Sequence, residues 1–459
     1  MARVQPLSGF PEWSPQDRLL ESHVISTLGE VFALHGFGEI QTRAVEPIGR
    51  LAGDSDASKE IYTLGRLTAE GDADAKLGLH FDLTVPFARY VEERQGQLQF
   101  PFRRFQIQKV WRGERPQEGR FREFYQADID VVGRENLPEH LESEVAIVMA
   151  RALAALPIPA VRMHVNNRQL VEGFYEGVGI TDVAGALRSV DKLDKIGPEG
   201  VRKELTGKGV DERAADAVLE LAKISSPDAS FAGAVEDLWE TTVLVDDGPV
   251  VEAAQLKLAR GIASLAALVT GVNEATATDG NGGVAVADLR IARGLDYYTG
   301  SVYETFLTGH EDLGSICSGG RYDSLIAGGG FPGVGMSIGV SRLVSRILGA
   351  ELASATRSVP SAVLVAVTDA EARGASASIA DRLRARGIAC EVSPSAAKFG
   401  KQIQYADRRG IPFVWFPDAG EGACADGEVK DIRSGEQNPA DADAWTPPAE
   451  DLKPRIVHG

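Results

Sequence analysis

Two groups of strand-like segments lie on either side of a long helical stretch, and this arrangement constrains the fold more than any other sequence feature. Apolar and polar residues alternate with period two within residues 105–131, and the alternation resumes at residues 284–291 and 301–307. Residues 168–278, in between, form alanine- and leucine-rich segments of helical character. Period-two alternation indicates half-buried strands. We therefore predict one sheet domain that is discontinuous in sequence and carries a helical insertion.

The carboxyl-terminal part of the chain has a different pattern. Strand-like segments at residues 362–367, 388–392 and 412–416 alternate with helical segments at 370–386 and 398–409. Such alternation is typical of a compact α/β domain. The 459 residues also exceed the roughly 250–300 that one hydrophobic core supports. We predict four segments: sheet domain, first part (1–167), helical insertion (168–280), sheet domain, second part (281–350), and α/β domain with tail (360–459).

The first part of the sheet domain contains three further predicted elements. A helix begins at Ser14-Pro15 and ends at Gly36, and a strand follows from Ile40 to Glu46. Apolar residues at helical spacing predict an amphipathic helix around Leu141 to Leu153. The tail from Gly435 onward has no clear period, and no element is predicted there.

The net charge of −18, from 66 acidic and 48 basic residues, argues against a polyanionic partner for the chain as a whole. Charge acts within one Debye length, about 8 Å at physiological salt, so a local basic patch can still bind phosphate. The three cysteines lack close spacing and histidines at metal-ligand spacing, which predicts no metal site. Without an export signal or a membrane-spanning apolar run, we expect a cytoplasmic protein that makes no membrane contact.

One local basic patch occurs within residues 103–123, which hold seven arginine or lysine residues against three glutamates. The predicted strand of residues 105–112 places Gln106, Gln108 and Arg112 on the face opposite Phe105, Ile107 and Trp111. After a loop, a second polar face follows, made of Arg120, Arg122, Phe124, Gln126, Asp128 and Asp130. An anion is expected at this surface, although a solvated charged hairpin without a ligand would have the same composition.

The second polar face carries arginine, aromatic ring, amide and carboxylate in that order. Phe124 and Asp130 are separated by about 20 Å at ~3.3 Å per residue, which suits a nucleotide joined to an amino acid. Guanidinium groups bind phosphate oxygens with two parallel donors, and an aromatic ring stacks on a purine. The carboxylate could bind an ammonium or imidazole group. A half-buried hairpin could also carry this order by chance.

Residues 102–133, FRRFQIQKVWRGERPQEGRFREFYQADIDVVG, resemble the second signature motif of class II aminoacyl-tRNA synthetases in its histidyl form. Residues 79–91, LHFDLTVPFARYV, resemble the histidine-binding segment, and 293–300, RGLDYYTG, resemble a block peculiar to histidyl enzymes. Residues 335–343, GMSIGVSRL, resemble the third class motif, and 18–47 the weaker first motif. Four ordered motifs are far more specific than one, so the chain is identified as a member of the histidyl-tRNA synthetase family.

The resemblance implies an α+β fold: a class II catalytic domain with an antiparallel sheet and a helical insertion, followed by an α/β anticodon-binding domain. It implies ATP-dependent activation of L-histidine to histidyl-adenylate, assisted by Mg²⁺, and transfer to histidine tRNA. It also implies a homodimer formed through the first motif. The alternative is the non-catalytic regulatory paralogue of ATP phosphoribosyltransferase, which shares the catalytic fold but normally lacks the carboxyl-terminal domain.

The resemblance also assigns roles to individual residues. The catalytic residues, at the α-phosphate, would be Arg112 and Arg293. The ATP-binding residues would be Arg112, Glu114, Arg120, Arg122, Phe124 and Arg342. The histidine-binding residues would be Asp82, Thr84, Arg112, Gln126, Asp130, Arg293, Tyr297 and Tyr298. The tRNA-binding residues would be Arg115, Lys398, Lys401, Arg408 and Arg409. Ser341 departs from the family, which often has an acidic residue before the arginine of the third motif.

Overall fold

The computed structural model describes residues 5–52, 59–65, 76–243, 249–277, 283–292, 298–326, 329–418 and 426–459. The chain divides into two compact units. The first unit comprises residues 1–11 and 24–346, and the second comprises residues 12–23 and 347–459. The finer limits of the helical insertion, at residues 168 and 280, stay a prediction.

Helices and strands alternate irregularly up to residue 349. The helices of this stretch are α1 (Pro15–Leu34), α2 (Ile48–Leu51), α3 (Thr84–Arg94), α4 (His140–Ala154), α5 (Arg168–Gly177), α6 (Val183–Val190), α7 (Leu193–Gly207), α8 (Glu212–Leu221), α9 (Phe231–Thr242), α10 (Pro249–Ala277) and α11 (Val340–Gly349). Its strands are β1 (Gly38–Glu39), β2 (Val45–Pro47), β3 (Thr63–Leu64), β4 (Leu77–Leu79), β5 (Phe102–Trp111), β6 (Glu123–Val132), β7 (Val161–Asn167), β8 (Ser225–Ser226), β9 (Ala285–Asp288), β10 (Ser301–Leu307), β11 (Cys317–Tyr322) and β12 (Gly333–Gly339).

In the described part of the first unit, nine strands form one sheet in the order β1-β5-β6-β12-β11-β10-β7-β9-β8. The pairs from β5 to β7 are all antiparallel, whereas β1 pairs with β5 and β9 with β7 in parallel. Strands β10 to β12, which follow the helical stretch, lie between β6 and β7, which precede it. The prediction that one sheet continues across the helical segment is therefore confirmed.

The strand predicted from Ile40 to Glu46 is wrong over residues 40–44 and correct only at its last two residues, which lie in β2. β1 ends at Glu39 and β2, which belongs to a separate three-stranded sheet, begins at Val45. Buried Thr42 lies between them, and its hydroxyl oxygen accepts a hydrogen bond from Gln106 Nε2 at 2.8 Å. The backbone between β1 and β2 passes from one sheet to another, and this side-chain hydrogen bond ties the passing segment to β5.

The core of the first unit lies between the sheet and helix α4. Leu141, Val145 and Val148 of this helix are buried, and α4 contacts β6, β7 and β12. The other face of β6 is therefore left for polar side chains. The helical stretch packs chiefly through α10, which contacts α5 and α4.

The second unit has the α/β alternation predicted from sequence. Its elements are β13 (Ala353–Ala355), β14 (Val363–Val365), α12 (Arg373–Ala385), β15 (Cys390–Val392), α13 (Phe399–Arg408), β16 (Phe413–Pro417), β17 (Gly427–Asp431), β18 (Gln437–Ala440) and β19 (Ile456–His458). Strands β15, β14 and β16 are parallel, and β17 and β18 extend the sheet in antiparallel orientation. β18 and β19 lie in the tail that was left unassigned. Among the described residues, no helix combines the length and hydropathy needed to cross a membrane.

Candidate active site

A row of polar side chains crosses the large sheet of the first unit. Residues paired in register on antiparallel strands place their side chains on the same face. Six such positions on neighbouring strands are polar: Gln106, Asp128, Ser337, Ser318, Glu304 and His164. This face is the one opposite α4, so the sheet presents a polar floor on which a ligand can lie.

A second row, two residues along the strands, is built around glycine. Arg104, Asp130, Gly335 and Gly320 are paired in register on β5, β6, β12 and β11. A Cβ atom at Gly335 would lie 2.1 Å from Oδ1 of Asp130, and one at Gly320 would lie 2.5 Å from the ring of Tyr298. The missing side chains therefore leave room for the Asp130 carboxylate and the Tyr298 ring over adjacent strands.

A cavity of about 440 Å³ opens above the polar floor. It brings together six of the residues assigned from sequence: Arg112, Glu114, Arg120, Phe124, Gln126 and Arg342. Further lining residues, which the sequence did not single out, include Glu60, Glu304, Ser315, Cys317, Ser318 and Ser337. Arginines, carboxylates, hydroxyls and one aromatic ring are suited to a nucleotide, because phosphate needs cationic donors and a base needs a ring to stack on.

Arg112 lies where the two parts of the site meet. Its Nε donates a hydrogen bond of 3.0 Å to the carbonyl oxygen of Phe81, and its guanidinium lies 5.1 Å from the centre of the Phe124 ring. Its positive charge also acts on the neighbouring Asp82 carboxylate. The guanidinium is thus held by a backbone carbonyl and an aromatic ring before any ligand binds.

Arg342 is held by backbone carbonyls of the cavity wall. Nε donates to the carbonyl oxygen of Gly119 at 3.2 Å, and Nη1 donates to that of Ser315 at 2.6 Å. Ser341, which departs from the family pattern, accepts a 3.0 Å hydrogen bond from the backbone N–H of Tyr125 with its hydroxyl oxygen. The serine therefore fastens α11 to β6, and the carbonyl contacts orient Arg342.

Arg122 is the one described ATP-binding assignment that the structure does not bring to the cavity wall. Its Nε donates to the carbonyl oxygen of Glu114 at 3.1 Å, and its Nη1 donates to that of Ser8 at 3.4 Å. Arg120 does line the cavity, 3.9 Å from the Glu114 carboxylate. Both arginines precede β6, which begins at Glu123, so the strand alternation that placed them on one face does not apply to them.

Three aspartates and a buried arginine form the inner end of the site. Arg104 Nη2 lies 2.6 Å from Asp130 Oδ2 and 3.9 Å from Asp128 Oδ2, and the Tyr322 hydroxyl donates to Asp130 Oδ1 at 2.9 Å. Burial raises the pKa of Asp130 to about 7, against the opposing effect of Arg104. Burial likewise raises the pKa of Asp82 to about 6, although a backbone N–H and Arg112 oppose it. These carboxyl groups therefore gain protons close to neutral pH.

Two further histidine-site assignments, Asp82 and Tyr298, lie near this inner end. Asp82 Oδ1 accepts from the backbone N–H of Val85 at 3.1 Å, and Thr84 is the first residue of α3. Burial, followed by the nearby Asp130 carboxylate, raises the pKa of Tyr298, so its phenol keeps its proton and can donate a hydrogen bond. Arg293 and Tyr297 lie outside the described residues.

Sequence reasoning missed two inner residues that the structure makes prominent. Arg104 is fully buried, with its guanidinium 4.3 Å from the centre of the Phe87 ring, and Ser337 donates to Asp128 Oδ1 at 2.5 Å. The signal for Arg104 was its position two residues before Gln106, on the same strand face as Arg112. Ser337 has no comparable signal, because one serine in an apolar strand is unremarkable.

The residues assigned to tRNA occupy two places. Arg115 is exposed between β5 and β6 in the first unit. In the second unit, Lys398, Lys401 and Arg408 are exposed at helix α13. Arg409 differs, because it contacts the Tyr405 hydroxyl and lies 3.3 Å from the Glu391 carboxylate. The two units thus each present basic side chains, with those of the second unit along one short helix.

The family model described as histidyl-tRNA synthetase matches residues 9–343, and the anticodon binding domain model matches residues 361–444. The antiparallel sheet with its arginine-lined cavity, followed by this second unit, is the fold of a class II aminoacyl-tRNA synthetase. Among curated relatives, the histidine–tRNA ligases of Cutibacterium acnes and Micrococcus luteus are each 53% identical over 100% of this chain and 99% of theirs. The chain belongs to the histidyl-tRNA synthetase family.

Solved structures agree with this assignment. The histidyl-tRNA synthetase of Nostoc sp. PCC 7120 is 33% identical, with a TM-score of 0.82 over 96% of this chain and 98% of that one. A Bacillus halodurans C protein described as an ATP phosphoribosyltransferase regulatory subunit/histidyl-tRNA synthetase is 18% identical, with a TM-score of 0.67 over 85% and 93%. At that identity the second likeness concerns the fold alone.

Proposed function

We propose that this chain activates L-histidine with ATP to form histidyl-adenylate and transfers the histidyl group to histidine tRNA. One observation carries the proposal: Arg112 is hydrogen-bonded to the Phe81 carbonyl and lies 5.1 Å from the centre of the Phe124 ring in the cavity, and its charge acts on the Asp82 carboxylate at the inner end. A nucleotide base would need an aromatic ring such as Phe124 to stack on, and an amino acid ammonium would need a carboxylate such as Asp82. Arg112 would then lie beside the phosphate and carboxylate groups that react.

The activation step requires alignment of anions more than proton transfer. A carboxylate oxygen of histidine attacks the α-phosphorus, a new C–O–P linkage forms, and the bond to the bridging oxygen breaks with release of pyrophosphate. Arg112 would stabilise charge at the α-phosphate, because a preorganised donor there strengthens as charge develops. Arg342 would bind the outer phosphates, and Arg120 and Glu114 line the same cavity. Arg293 is proposed as the second arginine at the α-phosphate on the family resemblance alone.

The inner end would bind histidine. Asp82 and Gln126 are proposed to accept from the α-ammonium, with Thr84 beside them, while Asp130 and the Tyr298 hydroxyl bind the imidazole. The glycines at positions 335 and 320 support the joint role of Asp130 and Tyr298 at the imidazole, since the space left by their missing side chains holds the Asp130 carboxylate and the Tyr298 ring side by side. Tyr297 is assigned here by resemblance. A site that satisfies imidazole by hydrogen bonds rejects side chains that leave those groups unpaired.

Mg²⁺ is proposed as the metal of this reaction. Mg²⁺ usually binds through one or two carboxylates together with substrate phosphates and water. The cavity wall supplies the carboxylates of Glu60, Glu114 and Glu304, so the donor set fits such a site. Among the described residues no group of three histidine, cysteine or acidic side chains is arranged to hold a metal unaided. The ion would help neutralise the departing pyrophosphate.

The basic side chains at α13 are proposed to bind the anticodon part of the tRNA, and Arg115 its acceptor end. Cationic side chains contribute sequence-independent phosphate affinity despite the negative net charge of the chain. Residues 18–47 are proposed to form a homodimer interface, on their resemblance to the first class motif. Since the reaction supplies translation, we place the protein in the cytoplasm.

Amino-acid-dependent pyrophosphate exchange across all twenty amino acids, followed by charging of histidine tRNA, tests the proposed function. Exchange is expected with histidine and at most weakly with the other nineteen. The regulatory alternative would bind histidine without exchange or charging. Exchange that is absent with histidine, or equal for several amino acids, would contradict the proposal.

The raised pKa values at the inner end predict a pH dependence. Asp130 and Asp82 lose their charge as the pH falls through about 7 and about 6, far above the usual aspartate range. The apparent KM for histidine is therefore expected to rise as pH is lowered from 8 to 6, with less change in the KM for ATP. Steady-state exchange over this range measures both constants.

The Asp130→Asn variant is the control, because free histidine also titrates near 6.5. The KM of this variant for histidine should change less across pH 7 than that of the wild type. A constant histidine KM in the wild type would contradict the assignment.

A further inference from the structure

The side-chain amide of Gln126 has a fixed orientation at the floor of the site. Its Nε2 donates a hydrogen bond of 2.9 Å to Ser337 Oγ. Its Oε1 is buried and has no hydrogen-bond partner among the described residues. A buried amide oxygen without a partner is costly, so it calls for a ligand donor.

Hydrogen-bond chemistry explains which end of the amide faces Ser337. The Ser337 hydroxyl has one proton, and it donates that proton to Asp128 Oδ1 at 2.5 Å. An ionised carboxylate can only accept, so Ser337 Oγ has no proton left for Gln126 and can only accept from it. The NH₂ end of the amide must then point to Ser337, which directs the oxygen the other way.

This explanation requires Asp128 to be ionised, and the groups around Asp128 change the pKa of its carboxyl group. Burial is the largest effect and leaves the pKa of Asp128 raised, although Arg104 on β5, the Ser337 hydroxyl on β12 and Arg112 after β5 oppose it. The Asp128 carboxylate in turn raises the pKa of two neighbouring carboxyl groups, Asp82, before α3, and Asp130, on its own strand. The buried guanidinium of Arg104, 3.9 Å away, is a permanent counter-charge.

We infer that Asp128 and Ser337 are positioning residues that act as a relay, Asp128–Ser337–Gln126, and present the Gln126 amide oxygen to the α-ammonium of histidine. The relay sets the polarity of the contact: an acceptor faces the substrate, which suits an ammonium and not a carboxylate. This inference rests on the proposed function for the identity of the ligand. Neither Asp128 nor Ser337 needs to touch histidine.

Replacement of Ser337 by alanine tests the relay, because the amide then has no fixed partner and can turn. The Kd of histidine, measured by calorimetry without ATP at pH 8, is expected to rise about 10–100-fold, the usual effect of losing a hydrogen bond to a charged group. An unchanged Kd overturns the relay. Wild-type protein that binds histidine but supports no exchange would instead contradict the proposed function, so the two failures are distinguishable.

An analogue without the ammonium separates positioning from general damage. Imidazolepropionate has the imidazole and carboxylate of histidine but no α-ammonium, so it cannot use the Gln126 oxygen. Its Kd is expected to agree within about twofold between wild type and Ser337→Ala. Equal weakening of histidine and imidazolepropionate would overturn the inference. Ser376→Ala, which removes a buried hydroxyl donating to Ala366 in the second unit, is the matched control and should leave both constants unchanged.

A second variant acts at the start of the relay. In Asp128→Asn the new amide can donate to Ser337 Oγ, which frees the serine proton for Gln126 Oε1 and turns the Gln126 amide round. The Kd of histidine is expected to rise about as much as in Ser337→Ala, although Ser337 is intact. The role of Asp128 would be overturned if Ser337→Ala raised the Kd of histidine while a folded Asp128→Asn variant kept the wild-type Kd.

Discussion

Replacement of Arg112 by alanine is expected to lower kcat/KM for histidine-dependent pyrophosphate exchange by about 10²–10³, the usual effect of removing one preorganised donor from a transition state. The reason is that the Phe81 carbonyl and the Phe124 ring already hold the guanidinium between the nucleotide and amino acid ends of the site. No reorganisation is needed when charge develops at phosphorus. Single-turnover formation of the adenylate, measured with saturating substrates, distinguishes slower chemistry from weaker binding.

Arg103→Ala is the matched control for this experiment. Arg103 lies on β5, the strand that Arg112 directly follows, but its guanidinium contacts Glu144 and lies 5.8 Å from the centre of the Phe37 ring. Its loss should leave exchange within about twofold of wild type. Arg112→Ala that kept exchange within about threefold would place the reacting phosphate elsewhere.

Replacement of Asp130 by asparagine is expected to lower kcat/KM for histidine by about 100-fold, with little change in the KM for ATP. The carboxylate binds Arg104 through one oxygen and Tyr322 through the other. An amide has one acceptor atom instead of two, so it cannot keep these partners and also accept from an imidazole N–H. Steady-state exchange with histidine and ATP varied independently measures the two constants.

Asp451→Asn controls for the loss of a buried aspartate. Asp451 pairs with Arg433 at 2.8 Å in the second unit, and its replacement should not alter the KM for histidine. Melting temperatures of both variants establish that the folded protein is assayed. If Asp130→Asn raised the KM for ATP as much as that for histidine, Asp130 would support the whole cavity and would not select the amino acid.

Much of the fold was predictable because periodicity depends on burial. The segment 301–307 is a strand with the predicted bounds, and helix α4 contains the predicted 141–153. The break at residues 40–44 was not predictable, because the chain changes sheet there and Thr42 is buried by contact with a residue 64 positions away. Local patterns do not distinguish such a contact from a strand.

The candidate site was predictable to the extent that it lies on β6. Phe124, Gln126 and Asp130 follow from alternation on one strand, whereas Arg122 precedes the strand and is bound elsewhere. Gly335, Gly320 and Ser337 belong to strands 190 or more residues further along the chain. The role of these residues depends on which strands become neighbours in the sheet. The alternation of polar and apolar residues within one segment does not predict that order.

The row of polar residues that crosses six strands also bears on how errors in folding would affect this protein. Side chains alternate between the two faces of each strand, so a slip of one residue between β6 and β12 would exchange core and ligand-binding positions together. It would bury Asp128 against α4 and expose Ile129 to solvent. A molecule with this wrong register would therefore lose both its binding site and the apolar packing of the sheet on α4. It could not persist as a stable but inactive enzyme.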